Sequence, residues 1–423
     1  MLNKLIPKSE FAKNIFTLSL GSIGAQVLNF FFTAFLTRIY SPSDFGLLSI
    51  YISVSSLIGV FSAGKYDVAI VVSKDREQSI SLVQLCFFIT LLFSILTLGI
   101  VVFFKTLIIS HLDHPEIYNW FYFIPLTLFF TSATQTIWMW NVREKNFKDL
   151  SVIRFIETIF NGGTSIILNF LGAIGMLFGT LFSQMASFLY LVIKLLSREK
   201  VNPFRFEKDA LTKNAILYSE FPRFNILQGF TDMLLITGII VVGSNFFSVY
   251  VIGIYSLCMR VLQLPMGLIV KPIAHVFFAE ASEKHRRGDD FYELTKQTVL
   301  RTAFFASIIP LILVIAGPFL FGLVFGQSWR ESGVYAQLLS LWIFLDLVKA
   351  PIAQIPAIIG KQKEVLYCTI LITLSLLLVI ALAGYFEHDQ PRKAFLIIAV
   401  FQSVQTLFFI LYFLRLSKQN IAI

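Results

Sequence analysis

The chain has 423 residues, of which 57% are hydrophobic and only 14% charged, with a mean hydropathy of +0.78. Soluble domains hold about 45–50% apolar and about 25% charged residues, so a soluble globular protein is excluded. The formal charge of +9 does not point to nucleic acid, because the basic residues lie in short connections between apolar runs.

A helix needs about 20 mostly apolar residues to cross a bilayer's hydrocarbon. Runs of that kind fall, in chain order, at roughly 14–37, 46–64, 79–104, 118–140, 150–171, 173–194, 214–242, 248–270, 298–323, 333–358, 364–384 and 394–414. They predict an all-α integral membrane protein of about 12 transmembrane helices. The first run has a polar, basic lead and no small-residue cleavage site after it, so it reads as a retained helix rather than a signal peptide.

The connections alternate in basic content. With the N-terminus taken as cytoplasmic, 25 of the 34 Lys and Arg fall on that side. The largest sets are Lys194 to Lys213 between runs six and seven, and Lys271 to Arg301 around the 8–9 connection. The other side holds five: Arg38, Lys105, Arg330, Arg392 and Lys393. This positive-inside bias predicts cytoplasmic termini and an even number of crossings. Anionic lipid headgroups are the natural neighbours of the basic side. Cys86, Cys258 and Cys368 all lie within runs and read as packing residues, not as a disulfide framework.

The 6–7 connection, with Asn202-Pro203, is the longest polar stretch near the midpoint. It divides the chain into two halves of six runs, 1–200 and 201–423. The halves echo each other. Lys13-Asn14 opens one and Lys213-Asn214 the other. Phe45-Gly46 with Ser49 aligns with Ile252-Gly253 with Ser256. Six crossings return the chain to its starting side, so such halves relate by an axis along the membrane normal, a repeat arrangement known in transporters. No outer connection is long, which argues against an extracytoplasmic catalytic domain.

Four motifs occur in order along the chain. They are LTRIYSPSDFGLLSIY (Leu36 to Tyr51), GKYDVAIVVSK (Gly64 to Lys74), YSEFPRF (Tyr218 to Phe224) and LVFGQSWRESG (Leu323 to Gly333). The set resembles the oligosaccharide-lipid flippases, the polysaccharide-transport branch of the multidrug/oligosaccharidyl-lipid/polysaccharide exporter superfamily. In the second motif Lys65, Asp67 and Ser73 stand where that family usually has Arg, Glu and Pro. The resemblance implies two six-helix bundles around a central cavity. It also implies translocation of an undecaprenyl- or other polyprenyl-pyrophosphate-linked oligosaccharide to the periplasmic leaflet, for O-antigen (lipopolysaccharide) or capsule synthesis. Glycan polymerase and chain-length regulator proteins are the partners it suggests.

Ionisable groups inside apolar spans are costly and usually face a bundle interior or a water-filled cavity. The runs enclose Arg154 and Glu157, Arg223 and Asp232, Arg260, and Asp346 and Lys349. Arg260 lies midway along an apolar run with no acidic residue within a turn. A guanidinium there needs an anion: either a lipid phosphate, which its planar fork grips in pairs, or Asp232 or Asp346 as a structural partner. Arg223 follows Pro222, which is expected to kink or break helix 7, and a local pair with Glu220 is the alternative to a substrate role. Arg154/Glu157 and Asp346/Lys349 are i,i+3 pairs, open to a structural or a functional reading. Pro351 and Pro356 should bend helix 10 beyond Lys349. The candidate substrate-binding set is thus Arg260, Arg223, Arg154 and Lys349. Asp232, Glu157 and Asp346 are candidates for coupling to an H+ or Na+ gradient.

Gln26, Asn29 and Gln135 suit either sugar hydroxyls or neighbouring helices. Gly175 and Gly179 suit close helix packing. His111-x-Asp113-His114 has metal-like composition in a short outer loop and is not expected to bind a metal. The aromatic, charged stretch 276–297 suits an interfacial helix. The chain has no GxxxxGKS/T phosphate loop and no HExxH or nucleophile elbow, so no cofactor, no direct ATP drive and no enzymatic activity are expected. The rival readings are a drug or metabolite exporter of the same superfamily and a membrane-embedded glycan polymerase or ligase.

Overall fold

The computed structural model describes residues 10–106 and 117–418. Its secondary structure there is helical throughout. In chain order the helices are α1 (Glu10–Ile39), α2 (Pro42–Gly59), α3 (Asp67–Val72), α4 (Arg76–Phe103), α5 (Ile124–Arg143), α6 (Phe147–Ile167), α7 (Ala173–Ser197), α8 (Lys208–Leu217), α9 (Glu220–Gly243), α10 (Val249–Leu262), α11 (Lys271–Arg286), α12 (Tyr292–Ala306), α13 (Ile308–Phe325), α14 (Arg330–Lys349), α15 (Gln362–Phe386) and α16 (Pro391–Leu416). Twelve long segments follow the twelve apolar runs, with α12 and α13 forming one of them. Among the described residues seven stretches, from Arg76–Phe103 to Pro391–Leu416, are long and apolar enough to cross a membrane by length and composition alone. Side chains such as Phe31, Phe103, Ile315 and Phe319 point outward. That suits hydrocarbon, where each helix satisfies its own backbone.

The chain forms two compact units. The first comprises Met1–Tyr40 and Leu47–Thr237, the second Ser41–Gly46 and Gly238–Ile423. Division at residue 200 counts crossings per half; the compact units divide later, within α9.

In the first unit small residues let helices approach closely. A Cβ on Gly162 of α6 would lie 2.3 Å from the Phe32 ring of α1. Gly175 and Gly179 of α7 lie against α6, where a Cβ would meet Leu168 O at 2.3 Å and Ser165 Oγ at 2.1 Å. The Tyr40 hydroxyl donates to Ser165 O at 2.6 Å. The core is built on Leu82, Phe87, Ile137, Trp140 and Leu191, with Cys86 buried and unbridged among them.

In the second unit Phe395 of α16 collects the rings of Phe247, Tyr255 and Tyr335, with centroids 5.0–5.3 Å apart. Gly46 and Gly253 meet reciprocally. A Cβ on Gly46 would lie 2.0 Å from Val249 O, and one on Gly253 would lie 1.7 Å from Pro42 O. Each glycine faces the carbonyl four residues before the other, so the aligned positions of the two halves are in mutual contact. Pro318 inside α13 removes the donor that would reach Val314 O. Gln337 Nε2 of α14 supplies it at 2.6 Å. Beside it, Gly317 and Gly333 bring the two backbones together.

Two expectations need adjustment. Helix 7 breaks at Tyr218-Ser219, before Pro222. Pro222 sits in the first turn of α9, where a missing N–H costs nothing and does not bend the helix. The interfacial helix expected over 276–297 divides into α11 and the start of α12, and Phe277 and Phe291 are buried in the second unit's core. His111, Asp113 and His114 lie outside the described residues. Helix 10 does end at Lys349, followed by short turns at Ala350–Ile352 and Ile355–Ile358.

Candidate functional site

The link between α2 and α3 is unusual. Gly64 and Lys65 are consecutive residues with φ of 57° and 58°. A side chain in that region costs on the order of 1 kcal/mol or more and persists only where its surroundings impose it. Here they do. The Tyr66 hydroxyl donates to Ala215 O at 3.0 Å. Arg143 Nη1 donates to Ile70 O at 3.1 Å and Ser73 O at 2.7 Å, holding the end of α3. Lys65 is thereby directed onto α9. A Cβ on Gly229 would stand 2.9 Å from Lys65 Cε and 3.1 Å from its Nζ, so glycine is what leaves room for the ammonium.

Beside Lys65 the first unit encloses a cavity of about 300 Å³. α2 contributes Tyr51 and Ser55, α3 Asp67, α5 Thr131 and Gln135, α7 Gln184, and α9 Met233. Several of its hydroxyls satisfy each other: Tyr51 with Thr127 Oγ1 at 2.6 Å, and Ser62 with Ser132. Others do not. Asp67 is 6% exposed, and its Oδ1, like Gln184 Oε1, is buried without a hydrogen-bond partner among the described residues. Buried polar atoms are seldom left so. Burial raises the Asp67 carboxyl above the usual carboxylate range, against the opposing effect of the nearby Lys65. Asp232 on α9 also lies within electrostatic reach of Lys65. No Lys65 ion pair is present among the described residues.

The intramembrane charges singled out in the sequence are placed as follows. Arg154 and Glu157 pair on α6 at 3.3 Å, with the guanidinium 4.7 Å from the Trp138 ring. Lys349 and Asp346 pair on α14. Arg223, Glu220 and Asp232 are exposed, and Arg223 and Glu220 form no ion pair among the described residues. Arg260 is half-buried and lies 5.7 Å from the Phe45 ring. Among the described residues of the second unit no carboxylate, Asp346 included, forms an ion pair with it. Lys65 and Asp67 were visible in GKYDVAIVVSK but lay outside the apolar runs and were not among the candidate site residues. Gly64 just before Lys65 was the available signal of a left-handed turn. No group of three metal-ligating side chains occurs among the described residues.

The profile of the polysaccharide biosynthesis protein family matches residues 35–334. This chain belongs to that family. The match spans α2 to the start of α14, including the cavity and all four ordered motifs. No curated protein sequence matches. Among solved structures, the lipid II flippase MurJ in an inward closed conformation aligns with a TM-score of 0.71 at 15% identity, covering 94% of this chain and 86% of that one. An inward-facing multidrug resistance MATE family transporter of the MOP superfamily gives 0.62 at 13% identity, over 95% and 94%. A MOP superfamily transporter from Pyrococcus furiosus gives 0.58 at 13%, over 96% of each chain. At these identities the likeness establishes the fold alone: the family member described here is a multi-pass helical membrane protein that shares the fold of those structures.

Proposed function

We propose that this chain is a flippase that moves a polyprenyl-diphosphate-linked oligosaccharide from the cytoplasmic to the outer leaflet of a bacterial inner membrane, for surface polysaccharides such as O-antigen or capsule. The family match across residues 35–334, on a transporter fold, carries this reading. Both termini are cytoplasmic in it, and the basic connections face the anionic leaflet. Transport proceeds by alternating access, with no covalent step. The lipid tail stays in the bilayer while the charged head crosses through protein.

Arg260 is the leading candidate for the diphosphate. A half-buried guanidinium with no carboxylate partner among the described residues of its own unit is suited to a bidentate phosphate contact. Arg223, exposed near the start of α9, is a candidate for first capture. Arg154 and Lys349 join the set if Glu157 and Asp346 release them, which makes those carboxylates, with Asp232, the candidate sites for H+ or Na+ coupling.

The test replaces Arg260 by Ala and by Lys in cells whose only flippase is this chain. Surface glycan is measured at matched protein levels. Export should fall about tenfold or more with Ala and partly recover with Lys, which keeps the charge but loses the fork. Normal export with Ala removes Arg260 from the mechanism.

A further inference from the structure

We propose that the cavity of the first unit is a carbohydrate pocket that takes one sugar ring of the transported glycan and thereby selects which glycans are carried. This rests on the flippase reading above and names a substrate group that the arginines do not explain.

Size comes first. At about 30 Å³ per water, 300 Å³ holds roughly ten waters. That is room for one ring with some hydration, the rest of the glycan extending through the cavity's open side. Chemistry then narrows the occupant. The Tyr51–Thr127 and Ser62–Ser132 pairs are internally satisfied. The open valences are two buried acceptors, Asp67 Oδ1 and Gln184 Oε1, the hydroxyl of Ser55, which can donate or accept, and the donors of Lys65. A ligand that fits must donate to the first two and accept from Lys65.

A phosphate fails this test. It offers acceptors only, so it leaves Asp67 and Gln184 unsatisfied and meets a repelling carboxylate. Lys65 does not reverse this, because Asp67 and Asp232 both share its field, and one ammonium against two carboxylates leaves no positive surplus. A free cation is opposed by the resident ammonium. Sugar hydroxyls both donate and accept, and neighbouring hydroxyls on one ring can engage a carboxylate and an amide together. Ile52, Val60 and Met233 line the same cavity and offer an apolar wall to the ring's C–H face. The diphosphate and the sugar are therefore bound by different parts of the protein.

The test uses cells whose only flippase is this chain. They are supplied with a panel of lipid-linked glycans that differ from one another in the configuration of a single hydroxyl, ring by ring. Wild type, Asp67→Asn and Gln184→Leu are compared at matched membrane levels, and the readout is the export ratio within each pair. Asn keeps the size of Asp and removes its charge. For one ring the ratio should shift roughly tenfold, whereas Arg260→Ala should lower all glycans together. An unchanged ratio in every pair, whether or not total export falls, overturns the pocket and leaves the flippase intact.

If wild type exports none of the panel, the flippase reading fails, and direct binding decides the pocket. The probe is the water-soluble oligosaccharide freed of lipid and diphosphate, added to purified protein. Slowed amide exchange across residues 59–67, lost in Asp67→Asn, supports a sugar site. The absence of protection, or the same protection from sodium chloride alone, overturns it.

Discussion

Gly253→Ala inserts one methyl into a contact made of backbone. Its Cβ would stand 1.7 Å from Pro42 O, 2.7 Å from Pro42 C and 3.0 Å from Gly46 N. None of these atoms can rotate away, so α10 must retreat from the start of α2 by well over an ångström. Overpacking of cores costs about 1–3 kcal/mol, and a rigid obstacle places this case near the top of that range. Ile252, Ile254 and Tyr255, all 2% exposed or less, would lose contact in the same movement. Alanine returns up to about 1 kcal/mol of helix propensity, leaving a net loss of about 2 kcal/mol. The assay is thermal unfolding of detergent-purified protein, followed by retention of the monodisperse peak. A midpoint drop of roughly 2 °C is expected for a chain of 423 residues. Gly163→Ala, with no atom within 4 Å of its Cβ, is the matched control and should be neutral or stabilising. Gly46→Ala should cost a similar amount, but the double variant should cost much less than the sum, because one separation relieves both clashes. Wild-type stability for Gly253→Ala, or strict additivity in the pair, would refute the reciprocal contact.

Other substitutions probe separate features. Gln337→Leu leaves Val314 O without its donor and should cost about 1–3 kcal/mol; adding Pro318→Ala restores a backbone N–H and should recover most of it in the same thermal assay. Gly229→Ala crowds the flexible end of Lys65 and otherwise meets Val60 Cγ1 at an ordinary 3.4 Å, so stability should hold while glycan export falls; unchanged export would mean that the ammonium's position does not matter.

How much of this was readable in the chain follows from the physics of each feature. The twelve apolar runs were legible because hydrocarbon demands long uninterrupted stretches. The stop after Lys349 was legible because Pro351 and Pro356 act on their own helix. The two i,i+3 ion pairs were legible because helix geometry alone brings those residues together. The cavity was not, since Asp67, Gln135 and Gln184 come from three helices and meet only by packing. Pro222 was misread because its effect depends on where α9 starts, and the first turn tolerates what the interior does not. Glu220 and Arg223 have pair spacing, yet both are exposed, where ion pairs gain little.

The second unit borrows Ser41–Gly46 from the front of the chain. The ribosome delivers that hexapeptide some two hundred residues before Val249–Gly253, the strip against which it seats. Until then its notch stands open, and this part of the molecule is completed only late in synthesis. A nascent chain stalled after Thr237 would therefore leave that backbone groove unfilled.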